Sequence, residues 1–112
     1  MLFEGREIKD YAEPVPVDQL EPGVIYFAVD FYEDEMLTPV MEPKVYIGRD
    51  LDPEEEGCYF QDLDSYNDGI RFASSTPEDD VLFEIGIENR VYDYEEALEI
   101  LMACSLRRRS LD

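Results

Sequence analysis

The stretch VIYFAVDFY, residues 24–32, constrains this chain more than any other. Strand side chains alternate with period two, so Ile25, Phe27, Val29 and Phe31 share one face. Val24, Tyr26, Ala28, Asp30 and Tyr32 share the other. One face is wholly apolar and the other half apolar, the pattern of a central strand well covered on one side. A buried helical segment would be equally apolar. The run is short, however, rich in β-branched and aromatic residues, and bounded by Pro22-Gly23 and Glu33-Asp34-Glu35, all of which favour a strand.

Further elements follow on both sides. Residues 1–20 show no period, and Pro14 and Pro16 hold their surroundings extended. This segment is expected to be an N-terminal arm with a short helical turn at residues 17–20. After a polar break at 33–35, residues 36–41 read as an edge or bulged strand, because Pro39 and Pro43 cannot donate to a ladder. Residues 44–49 and 58–61 read as strands, separated by the acidic loop DLDPEEEG at 50–57. Asp62 opens a helix on which Leu63, Tyr66 and Ile70 recur, with Gly69 weakening it. Residues 81–88 alternate cleanly, Val81, Phe83, Ile85 and Ile87 toward a core and Leu82, Glu84, Gly86 and Glu88 toward water. Val91-Tyr92 extends that pairing.

Asp93 then caps a helix over 94–106, with Glu96 placed for a capping box. Acids come early in this helix, and Arg107-Arg108-Arg109 ends it, matching the helix dipole. Tyr94, Ala97, Leu98, Leu101, Cys104 and Ser105 are read as its buried face. The core is expected to bring Phe27, Phe83 and Leu101 together. The order strand, strand, strand, strand, helix, strand, helix lacks a regular βαβ alternation. It predicts one α+β domain over residues 1–112, with a mainly antiparallel four- to five-stranded sheet and two helices on one face.

Charge is the distinctive exterior property. The sequence holds 29 acids against nine bases, for a formal net charge of −20. Such a surface repels nucleic acid and anionic membrane, so neither is expected as a direct partner. No histidine is present, which removes the usual base and metal ligand at neutral pH. Two cysteines, Cys58 and Cys104, are too few for a disulfide framework. No stretch approaches a membrane span or a signal peptide, and a cytoplasmic location is expected.

Catalytic signatures are absent. There is no nucleophile elbow, phosphate loop or dinucleotide fingerprint. Residues 64–69, DSYNDG, resemble the start of a calcium loop, but Tyr66 stands at its third position and Ser75 at its twelfth. Both cysteines sit in phase with apolar neighbours and read as core. Only Lys9 and Lys44 offer an amine.

The resulting expectation is a small acidic binding or regulatory module, without cofactor, engaging a basic protein partner. The residues expected to meet it are Glu33, Asp34, Glu35, Asp52, Glu54, Glu55 and Glu56, together with Tyr26, Tyr32 and Tyr46. Tyrosine is favoured at interfaces. The same tyrosines equally fit a face covered by the N-terminal arm. Two alternatives stand beside this reading: a carboxylate-based enzyme using a divalent ion, and a structural accessory domain with no ligand. A homo-oligomer is a further expectation, because the basic residues at 107–109 would be attracted to a neighbouring acidic body.

Overall fold

The computed structural model describes residues 12–111, and the backbone of two short strands before them, Leu2–Phe3 (β1) and Arg6–Glu7 (β2). These two pair antiparallel with each other. The remainder of residues 1–11, and with it the first half of the expected arm, lies outside the described residues.

The main sheet has five antiparallel strands: Ile25–Phe31 (β3), Pro39–Arg49 (β4), Cys58–Asp62 (β5), Phe83–Ile85 (β6) and Val91–Tyr92 (β7). Their order is β6-β5-β4-β3-β7, with the expected central strand next to the long β4. The helices are Leu63–Asn67 (α1) and Tyr94–Arg109 (α2). The fold is therefore α+β, with both helices on one face.

Register explains the layering. Phe27 lies opposite Pro43, Val29 opposite Met41, and Ile25 opposite Val45, which in turn lies opposite Gln61. Over one half of this face α2 brings Ile100 and Cys104 onto Val29, with Phe27, Phe31, Met41 and Tyr92 around them. Over the other half, Gln61 Nε2 donates to Ser65 Oγ of α1 at 2.9 Å. Asp62 caps α1, its Oδ2 accepting from Ser65 N–H at 3.0 Å. The opposite sheet face buries Tyr26, Ala28, Tyr46, Cys58, Phe60 and Val91 beneath Leu20, Ile87 and Val15. Val15 N–H donates to Val91 O at 2.9 Å, and residues Val17–Gln19 form the expected turn as a 3-10 helix.

Several expectations are corrected. The two strands placed on either side of Pro43 are one eleven-residue strand, β4. Strand β5 pairs only from Lys44 onward, so residues 39–43 have a vacant edge toward which a proline nitrogen can point without losing a ladder bond. The alternating run at 81–88 keeps only three residues in the sheet. Gly86, at φ +85, turns the chain so that Ile87 joins the face opposite Phe83. Val91-Tyr92 does not extend that pairing but joins the far edge of the sheet. Helix α1 ends at Asn67, short of the expected Ile70 turn.

Phe27, Phe83 and Leu101 do not share one environment. Phe27 packs under α2, Phe83 meets Phe72 edge to face with ring centroids 5.2 Å apart, and Leu101 is 46% exposed. The helical face facing the sheet carries Ala97, Ile100 and Cys104, so the stripe through Leu98 and Leu101 points outward. The sheet face is long enough to hold two sub-cores, which is why the fold class survives this correction.

Candidate functional site

The seven carboxylates predicted to form a binding surface separate into two groups. Glu33, Asp34 and Glu35 belong to the loop entering β4, and Asp52, Glu54, Glu55 and Glu56 to the loop leaving it. Eleven residues of extended strand lie between, a span of roughly 35 Å at about 3.3 Å per residue. One continuous acidic patch joining them does not form.

The first loop is braced by α2. Glu33 Oε1 accepts from Leu37 N–H at 2.7 Å and Thr38 N–H at 2.6 Å. Desolvation would raise the Glu33 pKa, but these backbone donors, the Thr38 hydroxyl and the Arg108 guanidinium together hold it below its ordinary value. Arg107 Nε donates to Met36 O at 2.9 Å, and its Nη2 lies 3.2 Å from Cys104 Sγ. Met36 itself sits at φ 57, a left-handed conformation fixed by these bonds.

The second loop closes on itself. Asp50 N–H donates to Gly57 O at 2.8 Å, and Asp50 Oδ1 accepts from Gly57 N–H at 2.7 Å. Asp52 Oδ1 accepts from Glu54 N–H at 2.9 Å, and Asp52 O accepts from Glu55 N–H at 3.0 Å. The buried Tyr59 hydroxyl donates to Glu55 O, pinning the loop to the sheet. Asp50 and Asp52 are thus engaged in holding the backbone. Glu54, Glu55 and Glu56 stay exposed and form no ion pair among the described residues.

The tyrosines also divide. Tyr26 and Tyr46 are buried at 6% and 5% exposure under the segment holding Val15 and Leu20, so neither offers surface to a partner. Of the two sequence readings for them, the covered face is the one found. Tyr32 is 82% exposed, beside Glu33 in the first loop. Tyr59 faces the other way from Tyr46, toward Phe72 at 5.3 Å between ring centroids. A register shift between Tyr46 and Gly48 accompanies this.

Sequence reasoning missed a charged cleft on the same sheet face as Tyr26 and Tyr46. It measures about 420 Å³ and is lined by Asp30, Glu42, Lys44, Glu84 and Arg90 with Ala28, Val40 and Leu82. Lys44 is buried, with Nζ 2.5 Å from Glu84 and 3.3 Å from Glu42. Arg90 reaches Glu84 from the other side at 3.8 Å. Burial is the strongest single influence on Lys44 and lowers its pKa, yet Glu84 and Glu42 outweigh it and leave the ammonium above its ordinary range. An amine held protonated in this way is a counter-ion and not a nucleophile. The only available signal was the parity of Lys44, which shares a face with Tyr46 in the strand pattern.

A second cavity of about 420 Å³ lies beside α1, lined chiefly by Ile47, Leu51, Phe72 and Tyr66, with Gln61 and Arg71 as its polar members. Arg71 lies over the Tyr66 ring at 3.9 Å and donates to Tyr66 O and Ile70 O, so its guanidinium is engaged within the loop. Cys58 and Cys104 are both buried, and burial pushes both thiols above the ordinary range. Among the described residues no group of three or more histidine, cysteine or carboxylate side chains is arranged to hold a metal ion. No helix among them is long and apolar enough to cross a membrane. No family model matches this sequence, and no curated protein or solved structure matches it.

Proposed function

We propose that this chain is a non-catalytic binding module that receives a basic segment of another protein on the acidic loop at residues 50–57. One observation carries the reading: the loop closes its own backbone through Asp50, Asp52 and Gly57, while Glu54, Glu55 and Glu56 stay exposed. A pre-ordered loop loses little conformational freedom when a partner docks. Three exposed carboxylates on it, without an ion pair among the described residues, attract Lys and Arg at a distance and speed encounter. The proposed surface is narrower than the sequence suggested. It keeps Glu54, Glu55 and Glu56 as the contacts and Asp52 as their support, and omits Tyr26 and Tyr46.

Titration with a lysine- and arginine-rich peptide tests it. Binding should weaken about tenfold or more when Glu54, Glu55 and Glu56 are all changed to Gln, and should weaken as salt rises. Changing Asp34 and Glu35 to Asn and Gln should leave it nearly intact. Equal losses from both loops would replace a local site with general attraction to a −20 chain.

A second reading, a carboxylate-based enzyme, is favoured by one observation, the convergence of Asp30, Glu42 and Glu84 on one cleft. The pairing of Glu84 and Glu42 with cations weighs against it. Melting with and without Mg²⁺ or Ca²⁺ separates the two, since a bound ion stabilises by mass action.

A further inference from the structure

The outward face of α2 carries a regular apolar stripe. Its members Tyr94, Leu98 and Leu101 follow one another at spacings of four and three residues, and Ser105 and Arg108 continue the same line at four and three. That alternation marks the seam along which two helices pack. Tyr94, Leu98 and Leu101 are 64%, 42% and 46% exposed. Monomeric surfaces carry single apolar residues routinely, but an ordered row of large ones marks an interface.

The occupant is indicated by the charges along the same helix. Its first turn bears Glu95 and Glu96, and its last bears Arg107, Arg108 and Arg109. Two copies of such a helix, laid antiparallel, place acids against bases at both ends. Tyr94 and Arg108 are each seven positions from Leu101, so a twofold axis at Leu101 sets Tyr94 of one copy opposite Arg108 of the other. A twofold contact of this kind is self-complementary and closed.

A third feature lies where that register requires it. A surface pocket of about 360 Å³ at the C-terminal end of α2 is lined by Leu37, Ser105, Arg108, Arg109 and Leu111. At the other end of the helix Tyr94 is largely exposed, with its ring in a T-shaped contact with Phe27 at 4.9 Å between centroids. In that pocket of a second copy the ring would meet Leu37 and Leu111 and lie against the Arg108 guanidinium, a favourable cation–π contact.

We propose that the outward face of α2 is a homodimer interface, in which two α2 helices pack antiparallel about Leu101. Tyr94 of each copy fills the pocket at residues 105–111 of the other, which brings the neighbouring Glu95 alongside Arg108. The acidic loop at 50–57 takes no part. One helix pair and two small pockets make a small interface, so self-association falls in the micromolar range. Two chains at −20 also repel each other, which makes the dimer stronger at physiological ionic strength than at low salt.

Sedimentation equilibrium from low micromolar to near-millimolar protein, at physiological salt, tests this. The mass should rise toward two chains with concentration. Leu101→Glu, at an exposed position, should keep the far-ultraviolet circular dichroism and remain a monomer throughout, as should Leu98→Lys. Glu95→Arg and Arg108→Glu should each weaken association about tenfold or more, while the two together in one chain should restore it. A wild-type chain that stays monomeric throughout would overturn the proposal, as would a dimer indifferent to both leucine changes. Failure of the double charge exchange to restore association would overturn the antiparallel register.

Discussion

The two acidic loops at the ends of β4 look alike in sequence and differ in construction. The first depends on a distant part of the chain: Arg107 holds Met36 O, and Glu33 is folded inward to accept two backbone N–H groups. The second is built mainly from its own residues, with Asp50 and Asp52 closing the turn, Tyr59 of β5 tying Glu55 O to the sheet, and three glutamates left outside. A carboxylate count cannot separate these cases. What separates them is whether an acid's oxygens are already occupied by the backbone, and that sets whether charge is available to a partner.

The strand joining the loops should give the largest effect. Lys44→Met removes a buried ammonium and, among the described residues, leaves Glu84 with the more distant Arg90. A loss of about 2–3 kcal/mol in urea unfolding is expected, with both loops affected equally. Because the folded pKa of Lys44 is raised, its contribution is complete at neutral pH and disappears only as pH climbs through that raised value. Next comes Arg107→Ala, which frees the first loop from α2 at a cost of about 1–2 kcal/mol. Hydrogen exchange should speed up at residues 33–38 and stay unchanged at 50–57.

Glu33→Gln should act on the same loop and show in the acid limb. The folded pKa of Glu33 is lowered from 4.5, so its stabilisation is present above that value and lost as pH falls through the lower one. The variant should melt lower than wild type at neutral pH and lose less on acidification. Raising salt from low to physiological strength should lift the melting temperature modestly, by screening like charges. The smallest effect belongs to the triple change of Glu54, Glu55 and Glu56 to Gln, expected within about 0.5 kcal/mol of wild type. A large loss there would show that the second loop, too, uses its carboxylates to hold itself together.

Much of the fold was legible because local signals agreed with the global answer. The alternation at residues 24–32 located strand β3, although the middle of the sheet is β4 and β3 lies one strand in from the β7 edge, and Asp62 and Asp93 each cap a helix as their positions indicated. The misreadings have common physical causes. Pro39 and Pro43 suggested a broken strand because sequence does not reveal which edge of a strand is empty. Glu96 was placed for a capping box, yet its Oε2 accepts from Glu13 N–H at 3.1 Å, a contact across 83 residues. Helix α2 is apolar on more than one side, so periodicity alone could not choose which side meets the sheet. The Lys44 cleft was hidden because its members come from β3, β4, β6 and the turn before β7, which only strand order brings together.

The vacant edge of β4 has a consequence for solution behaviour. An unpaired strand margin is ordinarily a template on which other chains can stack. Here two of five backbone positions, at Pro39 and Pro43, carry no N–H to offer a newcomer, and Glu42 adds a charge. Crowded copies therefore find little foothold for sheet growth along this margin of β4.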